Sequence, residues 1–200
     1  YRSVVDRDST ASEARFALMQ LGKLRFRLKD YPGAIAAMQR RIGLDPNSDE
    51  AYYYSGLSYK ELKQFPEAIS ALRQAVGLAP KKADRVFWLG LVLASTDSIP
   101  AALEAFHRAT ELDSTSRNAA IAYQQIGYQA LLAKDWTGAV GSLERSVAIF
   151  DKDLQTLIWL GQGYQNSGNK TKAIETYHKV LALQPGNPDA SKGLKGLGAQ

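Results

Sequence analysis

Apolar and small residues recur along this chain at a period of 34 positions, broken once by three extra residues, Arg117 to Ala119. The landmarks are Leu21-Gly22, Ser55-Gly56, Leu89-Gly90, Ile126-Gly127 and Leu160-Gly161. Twelve residues after each glycine stands an alanine: Ala34, Ala68, Ala102, Ala139 and Ala173. Four residues further on comes a large side chain, Met38, Leu72, Phe106, Leu143 or Tyr177. A fixed period of this length marks a stacked helical-repeat protein, in which each unit buries its apolar face only against its neighbours. Each period reads as helix, short turn, helix. The glycines fall mid-helix, where glycine costs about 1 kcal/mol relative to alanine unless a close approach offsets it. The alanine and the large residue are therefore expected to face the glycine across the helix pair.

Stop and start signals set the boundaries. Pro46, Pro80 and Pro185 follow the second helices, which proline cannot continue. Thr10 before Glu13 and Asn47 before Glu50 have capping-box spacing, and Asn187-Pro188 reads as an N-cap with proline at the first helical position. The full repeats are expected at 15–48, 49–82, 83–116, 120–153 and 154–187, with the three extra residues lengthening the first helix of the fourth by nearly a turn. Residues 188–200, with Ala190, Leu194 and Leu197 at helical spacing, suit a capping helix whose glycines, Gly193, Gly196 and Gly198, loosen its end. Tyr1 to Ser9 is similar to the end of a second helix, Phe106 to Ser114, so residues 1–14 are expected to close a further repeat that precedes them. Repeat one departs from the pattern by placing Arg25 and Arg41 at positions that are otherwise mostly small or apolar.

Taken together, the Leu-Gly pairs, the alanines and the Leu-Asp-Pro-type endings resemble the tetratricopeptide repeat family over nearly the whole chain. That resemblance implies an all-α fold, a right-handed superhelical α-solenoid of antiparallel helix pairs. It also implies a scaffold that binds proteins without catalysis, using the groove formed by the first helices. Carried over repeat by repeat, the family's groove positions give the candidate site Met19, Lys23, Tyr53, Tyr54, Leu57, Phe87, Trp88, Leu91, Gln124, Tyr128, Ile158 and Trp159. A subset of the family grips chaperone C-terminal carboxylates with lysine, asparagine and arginine. The matching positions here hold Met19, Lys23, Tyr54, Asp84 and Trp88, so that clamp is essentially missing.

Composition narrows the chemistry. No cysteine is present, which removes disulfides and thiolate metal sites and leaves the redox compartment open. The longest apolar run, Val86 to Ala94, is too short to cross a bilayer. The first residue is Tyr1, so any leader lies outside the sequence and the location is left open. His107 and His178 lack a ligand set and read as solvated helix-face residues, with no metal, cofactor or catalytic group expected. Asp151 and Asp153 read as caps of the next helix rather than an acid pair. The net charge of +5 is uneven, repeat one being basic and repeat three acidic. That polarity suits self-association or an acidic ligand, and a solvated basic face is the simpler reading than a nucleic-acid footprint. The functional expectation is a protein or peptide partner in an aromatic-rich groove. The alternatives are a regulatory or targeting segment of a larger enzyme whose catalytic domain lies before Tyr1, and nucleic-acid binding through basic repeat one.

Overall fold

The computed structural model describes residues 11–199, so the expected end of a preceding repeat at Tyr1 to Ser9 and the cap at Thr10 lie outside the described residues. The helices are α1 Ala11–Arg27, α2 Tyr31–Leu44, α3 Asp49–Glu61, α4 Phe65–Leu78, α5 Ala83–Ala94 and α6 Ile99–Leu112. They continue with α7 Arg117–Leu132, α8 Trp136–Ile149, α9 Leu154–Asn166, α10 Lys170–Leu183 and α11 Pro188–Gly196. No strand occurs among the described residues. The three extra residues are taken up at the start of α7, which has 16 residues against 13 in α3.

Two compact units divide the chain, the first ending at Ala105 and the second beginning at Phe106, inside α6. In the first unit α1 to α5 pack each on the next, and α3 also touches α1 and α5. In the second, α7 to α11 pack in succession, and α9 also touches α7 and α11.

The glycine-alanine seam explains these pairings. A Cβ on Gly56 would lie 2.6 Å from Leu72 Cγ and 3.3 Å from the Ala68 carbonyl oxygen. A Cβ on Gly127 would lie at the same distances from Leu143 and Ala139. Gly22 meets Met38 at 2.4 Å and Gly161 meets Tyr177 at 2.6 Å. Ala34, Ala68, Ala139 and Ala173 are all fully buried. Absence of a side chain on the first helix is thus what lets the second helix's large residue lie across it, and the packing gained offsets the low helix propensity of glycine.

Side-chain caps fix where most helices start. Asp30, Ser116, Asp135, Asp153 and Asn169 each accept from a backbone N–H three residues on. Asn187 accepts from Asp189 and Ala190 ahead of Pro188, as its sequence signal indicates. The start of α3 is different from expectation: Ser48, not Asn47, is the cap, accepting from Ala51 N. Asn47 instead donates its own backbone N–H to Asp45 in the preceding turn. Gly193 is likewise a packing residue rather than a source of fraying, since a Cβ there would come within 2.4 Å of the Tyr177 ring.

Arg41 marks the cost of the deviant first repeat. Its Nη2 donates to Asp45 at 3.0 Å, while Nε and Nη1 are buried without a hydrogen-bond partner.

Each turn between the paired helices contains one residue in the left-handed region, namely Lys29, Lys63, Asp97, Lys134 and Gly168, with φ between 59° and 81°. A non-glycine residue there pays about 1–2 kcal/mol in steric strain. Lys63→Gly is therefore expected to stabilise the protein by about 0.5–1 kcal/mol, read as a rise in the thermal midpoint. Gly168→Lys should do the opposite.

Candidate partner-binding groove

In the first unit the candidate residues lie on α1, α3 and α5. Lys23 Nζ stands 2.6 Å from Glu50 and 5.6 Å from the Tyr54 ring centroid. Tyr54 in turn meets Phe26 and Tyr53 edge-on, at centroid distances of 5.6 and 5.4 Å. Lys60 Nζ, paired with Glu61 at 2.8 Å, lies 5.1 Å from the Trp88 ring. Each ammonium is therefore held over a ring face that attracts it, and beside a carboxylate that limits its net charge.

Beneath Tyr53 is a cation that groove positions alone do not reveal. Arg85 is only 6% exposed, and its guanidinium lies 3.8 Å from the Tyr53 ring centroid. Its Nε and Nη2 donate to Asp49 at 3.2 and 3.1 Å, and Nη1 donates to Asp84 at 2.5 Å. Lys82 donates to the same Asp49 oxygen at 2.9 Å. Burial works to raise the Asp49 pKa, but the hydrogen bonds from Lys82 and Arg85 outweigh it and hold the carboxyl below its ordinary value. The Tyr53 hydroxyl is pushed up to about 12, mainly by burial and then by the Asp84 charge. This network ties α3 to α5 and fixes Tyr53 in place. One sequence signal did exist: Arg85 occupies the repeat position of Ala17, Ala51, Ala122 and Thr156, all small and buried.

In the second unit Tyr128 on α7 and Trp159 on α9 stack at 4.4 Å with their planes 25° apart. Gln124 Nε2 donates to Asp153 Oδ2 at 2.5 Å and Thr156 Oγ1 at 2.7 Å. Asp153 also accepts from the Thr156 backbone N–H, so the cap of α9 and the groove glutamine share one carboxylate. A hollow of about 150 Å³ lies beside them, lined by Arg117, Ile121, Gln124, Phe150 and Asp153 among others.

The twelve candidate residues thus separate by burial. Lys23, Tyr53, Tyr54, Trp88, Leu91, Gln124, Tyr128 and Trp159 are half-buried and present surface. Met19, Leu57, Phe87 and Ile158 are interior, at 8, 6, 1 and 5% exposed. For Phe87 this corrects the expectation of a groove aromatic: its ring packs edge-on against Trp88 at 5.6 Å and is almost wholly withdrawn from solvent. Met19, Phe87 and Ile158 share one repeat position with Tyr53 and Gln124, so that position is interior in three repeats and half-open in two. His107 and His178 are exposed on second helices. Among the described residues no three His, Asp or Glu side chains are grouped to hold a metal, and no helix is long and apolar enough to cross a membrane.

Models of the tetratricopeptide repeat match residues 16–48, 53–117 and 155–187, well over half of the chain. The chain belongs to the tetratricopeptide repeat family. Its fold class is accordingly the all-α solenoid of antiparallel helix pairs. Tetratricopeptide repeats are generally interaction scaffolds rather than catalysts. No curated protein matches the sequence. Among solved structures, YrrB, described as a tetratricopeptide repeat protein with an unusual peptide-binding site, is similar at a TM-score of 0.77 and 21% identity. The match covers 97% of this chain and 96% of YrrB. MamA is similar at a TM-score of 0.75 and 24% identity, over 86% of this chain and 93% of that one. PilF of Pseudomonas aeruginosa reaches 0.75 at 16% identity, over 94% and 84% of the two chains. At these identities the likeness concerns the fold.

Proposed function

We propose that this tetratricopeptide repeat protein is a non-enzymatic scaffold that holds a peptide or helix of a protein partner against the first-helix faces. One observation carries the reading: Tyr54, Trp88 and Trp159, at a single repeat position, keep part of their rings open to solvent while packing fixes the rest. Such rings offer large contact area at little entropic cost, because packing has already restricted their rotamers. The flanking ion pairs, Lys23 with Glu50 and Lys60 with Glu61, supply charges of both signs that set register more than affinity. The description of YrrB as peptide-binding is in keeping with this use of the fold.

Trp88→Ala and Trp159→Ala are each expected to weaken binding of a partner recovered with the intact protein by about 1–3 kcal/mol, roughly 5- to 150-fold. Calorimetric titration would read the affinity and circular dichroism the fold. Lys23→Glu should act mainly on association rate and its salt dependence. Unchanged affinity in both tryptophan variants, with the fold retained, would remove the groove from the mechanism.

A further inference from the structure

Ser55 is the exception in the repeat seam. The same position holds Leu21, Leu89, Ile126 and Leu160 in the other repeats, so serine has a smaller side chain, with a hydroxyl in place of the branched carbons, where the helices meet. The residue is 3% exposed, and its Oγ is buried without a hydrogen-bond partner. Here a hollow of about 380 Å³ opens between α2, α3 and α4. It uses the stripe Tyr52, Ser55 and Tyr59 of α3 and shares no residue with the groove positions. Ile42 and Ala71 give it apolar walls, and the rings of Tyr52 and Tyr59 flank it. Gln39 donates to the Tyr59 hydroxyl at 3.2 Å, and Gln74 adds a second amide. Glu67 is the only charged group in the lining.

We propose that this hollow is a second binding site, which takes a neutral phenolic side chain, that of a tyrosine, from a protein partner. The apolar and aromatic walls suit a ring, since aromatic pairs add to the burial of area. The unpaired Ser55 hydroxyl and the two amides suit one hydroxyl group, because a buried polar atom without a partner is costly until one arrives. Glu67, with no basic residue in the lining, disfavours an anion. Gln39, Glu67 and Gln74 are exposed at the mouth and form a polar rim for the backbone that carries the ring.

The test uses the whole chain labelled with ¹⁵N and three probes: p-cresol, N-acetyltyrosinamide and 4-methylbenzoate. p-Cresol and the capped tyrosine should shift the amide signals of Ser55, Ser70 and Ala71 with dissociation constants of about a millimolar. 4-Methylbenzoate should bind at least about tenfold more weakly. Ser55→Leu restores the residue usual at this position, so it should fold with a midpoint no lower than the parent and lose at least about tenfold in p-cresol affinity. Absence of localised shifts at about 10 mM p-cresol, well above the expected constant, overturns the site. Shifts that persist in folded Ser55→Leu overturn it too. Binding of p-cresol without the capped tyrosine overturns the partner side chain as occupant, and equal binding of 4-methylbenzoate overturns the neutral selectivity.

Discussion

Phe87→Ala should destabilise the protein by about 3–5 kcal/mol, the loss typical of an aromatic ring removed from a well-packed interior. The ring is 1% exposed, so truncation leaves a cavity beside α5, whose neighbouring Trp88 and Leu91 stay half-buried. Any loss of partner binding in this variant follows from lost folding, and for that reason it is no probe of the groove. Urea unfolding measures the effect directly, and Phe87→Leu should recover much of it. A change below about 1 kcal/mol would put the ring at the surface, where truncation is usually close to neutral.

The second large effect is expected at the helix-pair seam. Gly56→Leu should cost about 3 kcal/mol, because even its Cβ meets Leu72 Cγ at 2.6 Å and the Ala68 carbonyl oxygen at 3.3 Å, and the backbone atom cannot turn aside. Gly77 is the internal control. It also sits in a helix, α4, but a Cβ there meets nothing within 4 Å. Gly77→Ala should therefore gain up to about 1 kcal/mol from helix propensity alone. Thermal melts of the two variants should move in opposite directions. Movement in the same direction would mean that propensity, not close approach, governs these glycines.

The seam was legible in the sequence because it depends on spacing. A glycine, an alanine twelve residues later and a large residue four beyond it cannot recur by propensity, which disfavours the glycine. Burial within one aromatic pair was not legible: Phe87 and Trp88 are neighbours of similar character, and only the packing of the helix decides that one is interior and the other half open. Arg85 shows a different limit. An arginine among small residues at one repeat position can be noticed in the sequence, but its placement under Tyr53 and between Asp49 and Asp84 depends on how α5 lies on α3. At the start of α3, Asn47 and Ser48 are both good capping residues, and the choice between them is set by the turn that Asp45 forms. Ser55 was readable only as a break in a column of leucines and isoleucine; the hollow beside it comes from the residues of three helices.

Hydrogen–deuterium exchange on the complex with a partner recovered by the intact protein tests the central claim most directly. The account predicts slowed exchange, on binding, in the first helices α3, α5, α7 and α9, with peptides containing Tyr54, Trp88, Tyr128 and Trp159 most affected. Exchange in α2, α4, α8 and α10 should change little, apart from the α2 and α4 segments that border the Ser55 hollow. Protection confined to second helices away from that hollow, with the first helices unchanged, would contradict a first-helix binding face.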